Sequence, residues 1–260
     1  GSEMPATTLT RRALLTAFAA RRRRPNVLFI LTDDQRTDTI HALGNPVTQT
    51  PNLDGLVRSG VTFRNAYCMG GFSPAVCLPS RMMIHRGRAW FSVRQLPADH
   101  PTLARSMNEA GYVTYHLGKS GNEDHESMRD FTFNHYLAPN DTVEREAGRP
   151  GKQTADRAIE FLDRWKKEPA PGRGKPFFMC LSGAEPHDPR IAPPEYLSRY
   201  DAAKIPLPAN FRPFHPFDNG ELLIRDEKLA PWPRTEAEIR RHLRDYYAVV
   251  THMDEQYGRI

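Results

Sequence analysis

Cysteine is scarce in this chain: three thiols, Cys68, Cys77 and Cys180, in 260 residues. So small and odd a number cannot build a disulfide framework, and at least one of the three has to be accounted for by chemistry or by burial. Long apolar runs are lacking too. No stretch approaches the roughly 18 to 20 apolar residues that a membrane-spanning helix takes, which excludes a helical span. A broad basic face is also missing, although the net charge is +5. Six arginines stand against the single acid Glu3 in residues 1–24, and the remainder holds 30 basic and 30 acidic residues. That neutral body offers no general surface to a nucleic-acid backbone, so nucleic acid is not an expected partner. No internal repeat is visible.

What is present is 39% hydrophobic and 10% aromatic residues, enough to bury a core in one long domain or two short ones. Residues 1–24 stand apart from it. Across Thr8–Ala20 the arginine pair Arg11-Arg12 precedes a short, weakly apolar run ending in small residues. That pattern resembles a twin-arginine export signal, which implies a periplasmic or secreted protein. The alternative is a disordered basic tail on a cytoplasmic one. The folded domain is expected over residues 25–260.

Within that domain Val27–Thr32 is a continuous apolar and β-branched run, the pattern of a strand buried on both faces. Tyr112–Leu117 reads as a second strand after a helix over Thr102–Ala110, with Gly111 in C-cap position. Phe177–Leu181 reads as a third, after an amphipathic helix over Thr154–Lys167 and a Pro/Gly-rich turn. Strands alternating with helices predict an α/β fold with a mostly parallel sheet flanked by helices. Residues 184–233 are rich in proline and poor in periodicity and read as a long ordered loop. A last helix is expected over Glu236–Tyr257, opened by a capping box of Thr235 and Glu238.

Each strand delivers polar chemistry at its carboxyl end, where open parallel sheets bind their ligands. Asp33-Asp34 follow the first, Gly118-Lys119 the second, and Glu185-Pro186-His187-Asp188 the third. Adjacent carboxylates repel unless a cation or protons neutralise them, and hard oxygen donors suit Ca²⁺ or Mg²⁺. Asp218-Asn219-Gly220 looks similar but carries turn chemistry, and His85, His116 and His125 have no metal-ligand spacing.

The most distinctive segment is Phe72-Ser73-Pro74-Ala75-Val76-Cys77-Leu78-Pro79-Ser80-Arg81. Pro79 pre-sets a helical φ in a first turn, so Cys77 is expected just before a helix whose free N–H groups favour anions. Arg81 falls one turn later, and its planar fork suits a tetrahedral oxyanion. A thiolate phosphatase loop would need arginine where Met83 stands, which disfavours that chemistry.

Cys77-Leu78-Pro79-Ser80-Arg81 resembles the Cys-x-Pro-Ser-Arg signature of the formylglycine-dependent sulfatases of the alkaline phosphatase superfamily. The resemblance extends from about Pro25 to the chain end, through Arg24–Asp34, Thr50-Pro51-Asn52-Leu53-Asp54, Phe63-Arg64-Asn65-Ala66-Tyr67, Gly118-Lys119 and Pro186-His187. It implies that a maturation enzyme oxidises Cys77 to Cα-formylglycine, whose hydrated aldehyde is the nucleophile. It implies that Asp33 and Asp34, with residue 77, hold Ca²⁺. Arg81 and Lys119 would stabilise charge on the nucleophile and the sulfate, and His187 would contact the sulfate or assist proton transfer to the leaving oxygen. The implied substrate is a small-molecule or glycan sulfate ester.

Two departures from the family pattern matter. Ser120-Gly121 stand where relatives often carry Trp-His after the lysine, so one histidine expected near the sulfate is absent. The chain also stops at Ile260, where relatives go on to a strand with further metal ligands. This implies a truncated form short of the 6 to 8 oxygens that Ca²⁺ usually takes, completed by water, a complementing chain or a homo-oligomer. The competing expectations are a phosphonate monoester or phosphodiester hydrolase of the same superfamily, and a non-catalytic binder of sulfate esters or glycans. The segment 189–233 and Trp90-Phe91 are expected to shape the substrate pocket.

Overall fold

The structure, a computed structural model, describes residues 24–70, 76–93, 95–97, 99–119, 124–137, 148–167, 174–218, 220, 222, 224 and 228–260. The basic segment over Thr8–Ala20 and the Ser120-Gly121 departure lie outside these residues. In chain order the elements are β1 (Val27–Asp33), α1 (Pro51–Ser59), α2 (Cys77–Arg86), α3 (Trp90–Val93), α4 (Leu103–Glu109), β2 (Val113–Lys119), α5 (His125–Met128), β3 (Phe133–Leu137), α6 (Lys152–Lys167), β4 (Phe177–Pro186), α7 (Pro194–Leu197) and α8 (Glu236–Gly258).

The four strands form one sheet in the order β1-β4-β2-β3, and every pairing is parallel. The expected mostly parallel sheet flanked by helices is therefore the observed architecture. β4 is central and buried along all ten of its residues. Its side chains divide by the two-residue period of a strand. Phe177, Met179 and Leu181 pack with Tyr115, Leu117 and Ala158 under α6. Phe178 and Cys180 face the opposite layer, with Ala104 of α4 and Met128 of α5. Cys180 is fully buried, so packing as a small hydrophobe accounts for this thiol. A third cluster joins α8 to α7, with Tyr247, Val250 and Met253 of α8 at its centre.

β1 differs from expectation. It is half-buried rather than covered on both faces, and Leu28 is 42% exposed. The reason is its place at one end of the strand order, where only one flank is hydrogen-bonded among the described residues. β3 was not foreseen at all, and the strand-end groups Lys119, Glu185 and Pro186 lie inside their strands rather than after them. The segment after β4 carries the short helix α7 and a 3₁₀ turn at Ala202–Lys204 in addition to loop.

Helix ends follow the sequence signals. Thr102 and Thr235 each accept a hydrogen bond from the backbone N–H three residues on, at 3.1 and 3.2 Å. Gly111 has φ of +86°, the left-handed conformation expected of a C-cap. Among the described residues no helix is long and apolar enough to cross a membrane.

Candidate active site

The strand order sets the site. Because β1, β4 and β2 are neighbours, their carboxyl ends bring residues distant in sequence to one edge. Between Leu31 and Asp33 the β1–β4 register shifts: Leu31 stands opposite Ser182, but Asp33 stands opposite Pro186. The extra residues bulge from β4 and re-aim its end, as bulges beside functional sites do.

Asp33 closes β1 and is buried, 5% exposed. Asp34 then takes φ of +59°, the one positive φ outside glycine among the described residues. A short polar side chain tolerates this left-handed state better than a branched one. It interrupts the alternation that would send successive side chains to opposite faces. Donor atoms of Asp33, Asp34 and Cys77 consequently lie within 4.8 Å of one another. The turn is clamped from α8, where the Tyr246 hydroxyl donates to the Asp34 carbonyl at 2.7 Å and accepts from the Arg36 N–H at 2.9 Å.

Cys77 is the first residue of α2, not the residue before it as the sequence suggested. The difference arises because Ser80 N–H already bonds to the Val76 carbonyl, which places the cap at Val76. The thiol donates to Asp33 Oδ1 at 3.2 Å. One turn on, Arg81 is 2% exposed and runs beneath the site. Its guanidinium donates to Ser182 Oγ and to the Gly183 carbonyl, the latter at 3.3 Å, and approaches Asp33 at 3.6 Å. Lys119 at the end of β2 reaches across β4 to pair with Asp33, and its Nζ stands 3.8 Å from Cys77 Sγ. His187 follows β4. Its Nδ1 lies 2.9 Å from the Asp188 carbonyl, so this nitrogen carries the proton, and Nε2 lies 3.5 Å from Asp34 Oδ2.

The structure thus brings together all six residues singled out from the sequence: Asp33, Asp34, Cys77, Arg81, Lys119 and His187. It adds Ser182, Tyr246 and Asp188, of which the first two carried no legible signal.

The charges inside this cluster are set by burial and by neighbours. Burial works to raise the Asp33 pKa, but the Lys119 ammonium, followed by Arg81 and the Cys77 hydrogen bond, holds it below the ordinary carboxylate range. Asp34 moves the other way: burial raises it, His187 opposes, and the neighbouring Asp33 charge adds to the rise. Burial and then Asp33 push the Cys77 thiol up to about 11. Two adjacent carboxylates with opposite shifts could hold a hard cation, which would relieve the repulsion that Asp34 feels. The carboxylate oxygens of Asp33, Asp34 and Asp188 suit a Ca²⁺- or Mg²⁺-like ion in kind, and Asp34 is shared between a group with Asp33 and Cys77 and a group with His187 and Asp188. Among the described residues His85 and His116 belong to no such group, and they pack against Phe131. Gly220 N–H bonds to Asp218 Oδ1 at 2.7 Å, the turn expected there, while Asn219 lies outside the described residues. Cys68 is exposed.

Comparison with known proteins agrees with the fold. The structure resembles a phosphonate monoester hydrolase of Agrobacterium radiobacter, with a TM-score of 0.65 at 22% identity over 91% of this chain and 58% of the other. It also resembles a protein solved with D-glucosamine-2-N,6-O-disulfate as its substrate, with a TM-score of 0.61 at 21% identity over 91% and 61%. In sequence it is 25% identical to iduronate 2-sulfatase of Homo sapiens over 90% of this chain and 50% of that protein. The chain spans about half the length of the curated relatives it matches. The profile of the sulfatase family aligns with residues 25–260, and on that match the chain belongs to the sulfatase family.

Proposed function

We propose that the protein is a sulfuric ester hydrolase whose reaction centre is residue 77. The observation that carries this reading is that Cys77 meets Asp33 and Lys119, and that Asp33 is in turn approached by Arg81, these partners coming from three different elements. A thiol with a pKa of about 11 is ionised in only about one molecule in 10⁴ at neutral pH, so Cys77 as cysteine is a poor nucleophile. Conversion to Cα-formylglycine by a maturation enzyme would supply an oxygen nucleophile at the same position. Ca²⁺ held by Asp33, Asp34 and residue 77 would supply Lewis-acid polarisation of the sulfate oxygens.

The other roles fall to the chain's own side chains. Lys119, between Asp33 and residue 77, offsets the negative charge that gathers as the sulfur is attacked. Arg81 is too deeply buried to wrap a substrate; it fixes Asp33, and through the rigid start of α2 it fixes residue 77. His187, with Nδ1 held by Asp188, is oriented to work through Nε2, where protonation lets it give a proton to the departing alcohol oxygen. A sulfated glycan is the favoured substrate class, in line with the sugar sulfates named for its relatives. Export from the cytoplasm through the Arg11-Arg12 segment belongs to the same reading.

Sulfate release is the decisive measurement. Protein co-expressed with a formylglycine-generating enzyme should hydrolyse an aryl sulfate, and Cys77→Ala should not. Preference for an aryl phosphonate would favour the phosphonate monoester reading. Binding of sulfate esters with no release from either substrate would point to a non-catalytic protein.

A further inference from the structure

Beside the Asp34–His187 edge lies a cavity of about 810 Å³, walled by the segment after β4 and by α8. That volume is in the range of sites for whole small molecules, larger than a sulfate group needs. Trp90 and Phe91 do not line it. Its acids, Asp34 and Asp188, are at the end shared with the reaction centre, whereas its walls carry Arg36, Arg190, Arg212 and Arg234.

These arginines are not equivalent. Arg36 is neutralised by Asp38 at 2.5 Å, and Arg234 lies over the Trp232 ring at 4.1 Å. Arg190 is half-buried, yet among the described residues it has no hydrogen bond or ion pair. Asp245 of α8, whose charge acts on Arg190, is already bound by Arg244 at 2.7 Å. Burial accordingly lowers the Arg190 pKa from its ordinary value, only partly opposed by Asp188 and Asp245. The same crowding of positive charge reaches His242 on the cavity wall, lowered by burial and then by Arg190. Arg212, on the facing segment, is exposed and likewise without a partner among the described residues. A guanidinium half removed from water without a counter-ion is a cost that a bound anion would relieve, and its fork suits carboxylate and sulfate oxygens.

We propose that this cavity is a subsite for a second anionic group on the substrate, held by Arg190 and Arg212, so that the protein selects glycans carrying a further sulfate or carboxylate beside the ester to be cleaved. This rests on the sulfate-ester reading above and narrows its substrate class.

The test is calorimetric and needs no turnover. The probes are two disaccharides, identical except that one carries a single 6-O-sulfate and the other an added sulfate on the neighbouring sugar. The wild-type protein should bind the disulfated sugar about 10- to 100-fold more tightly, the range expected of charge-assisted hydrogen bonds. Arg190→Gln and, separately, Arg212→Gln should each shrink that ratio while leaving affinity for the monosulfate within about twofold. The Arg212 variant alters an exposed side chain and keeps the test valid if the Arg190 variant does not fold. Equal binding of the two sugars by wild type, no binding of either, or a ratio unchanged in every folded variant would overturn the proposal. Sulfate release is read in parallel. A preference for the disulfated sugar without release would leave the subsite standing and remove the hydrolase.

Discussion

The Tyr246 hydroxyl ties α8 to the backbone of Asp34, donating to the Asp34 carbonyl at 2.7 Å while accepting from Arg36 two residues on. The left-handed turn that sets the second carboxylate beside the first is thus held by a side chain 212 residues away. Tyr246 is itself buried, and burial first among its causes raises its phenol to about 12, so it stays a neutral donor across the usable pH range.

Tyr246→Phe should therefore uncouple the turn while keeping the packing. Two backbone groups lose their partner, which should destabilise the fold by about 1 to 2 kcal/mol. Affinity of the Asp33–Asp34 pair for Ca²⁺ should weaken as well. Tyr247→Phe is the control, since the Tyr247 hydroxyl has no hydrogen bond among the described residues. Urea unfolding with and without Ca²⁺ measures both effects, and equal behaviour of the two variants would refute the coupling.

The thiol of Cys77 should report its surroundings by reactivity. In chelator-treated protein with Cys68 replaced by serine, alkylation of Cys77 should stay slow up to pH 9 and climb as pH approaches 11. Asp33→Asn removes the charge that, after burial, most disfavours the thiolate. The pKa should fall, and each unit of fall should raise the alkylation rate near pH 9 by about tenfold. A fast reaction at pH 7 in the unsubstituted site would contradict the argument.

How much of this was legible depended on whether the physics was local. Tyr112–Leu117 and Phe177–Leu181 announce themselves because an interior parallel strand needs apolar side chains on both faces, and Val27–Thr32 carries the same apolar, β-branched pattern although it stands at one end of the strand order. Their polar ends then mark the sheet edge, and so Asp33, Lys119 and His187 could be placed together from sequence. β3 was missed because Phe-Asn-His-Tyr-Leu carries no β-branched residue and its side chains are largely half-exposed. The register shift opposite Asp33 and the length of β4 depend on pairing between strands, which no single segment encodes. Ser182 and Tyr246 sit in patterns that read as core strand and core helix, and their hydroxyls acquire meaning only through Arg81 and Asp34. Trp90 and Phe91, expected to shape a pocket, belong to α3, which packs beside α2, and they do not line the cavity beside Asp34 and His187.

Lys119 would compete with a bound cation for Asp33. Its ammonium is paired with Asp33 Oδ2, so an entering Ca²⁺ must share or displace it. Lys119→Met should raise Ca²⁺ affinity, on the order of tenfold for a partly buried charge pair. Asp33→Asn combined with Asp34→Asn should abolish binding. Thermal shift across a Ca²⁺ series checks both. Tight binding in the doubly substituted protein would show that the ligands lie elsewhere, and a Lys119 variant that binds Ca²⁺ more weakly would show that the lysine supports the cation.

Maturation of Cys77 should have to precede folding. Only Cys77 among the three cysteines is followed by proline at the second position and arginine at the fourth, the residues by which the maturation enzyme would recognise it. In the folded chain Pro79 is buried and Arg81 is 2% exposed and bonded to Ser182, Gly183 and Asp33. Freeing Arg81 would break a buried ion pair, which costs about 3 to 5 kcal/mol, and would also unwind the first turn of α2. Such an opening is populated in fewer than about one molecule in 100. An unfolded peptide spanning residues 70–90 should therefore be oxidised at Cys77 by the enzyme, while folded protein made without it should remain a thiol at the same enzyme concentration. Peptide mass spectrometry reads the mass change, with Cys68 and Cys180 as internal controls. Conversion of the folded protein at the rate of the peptide would mean that the start of α2 opens freely, and the rigid placement of residue 77 over Arg81 would have to be given up.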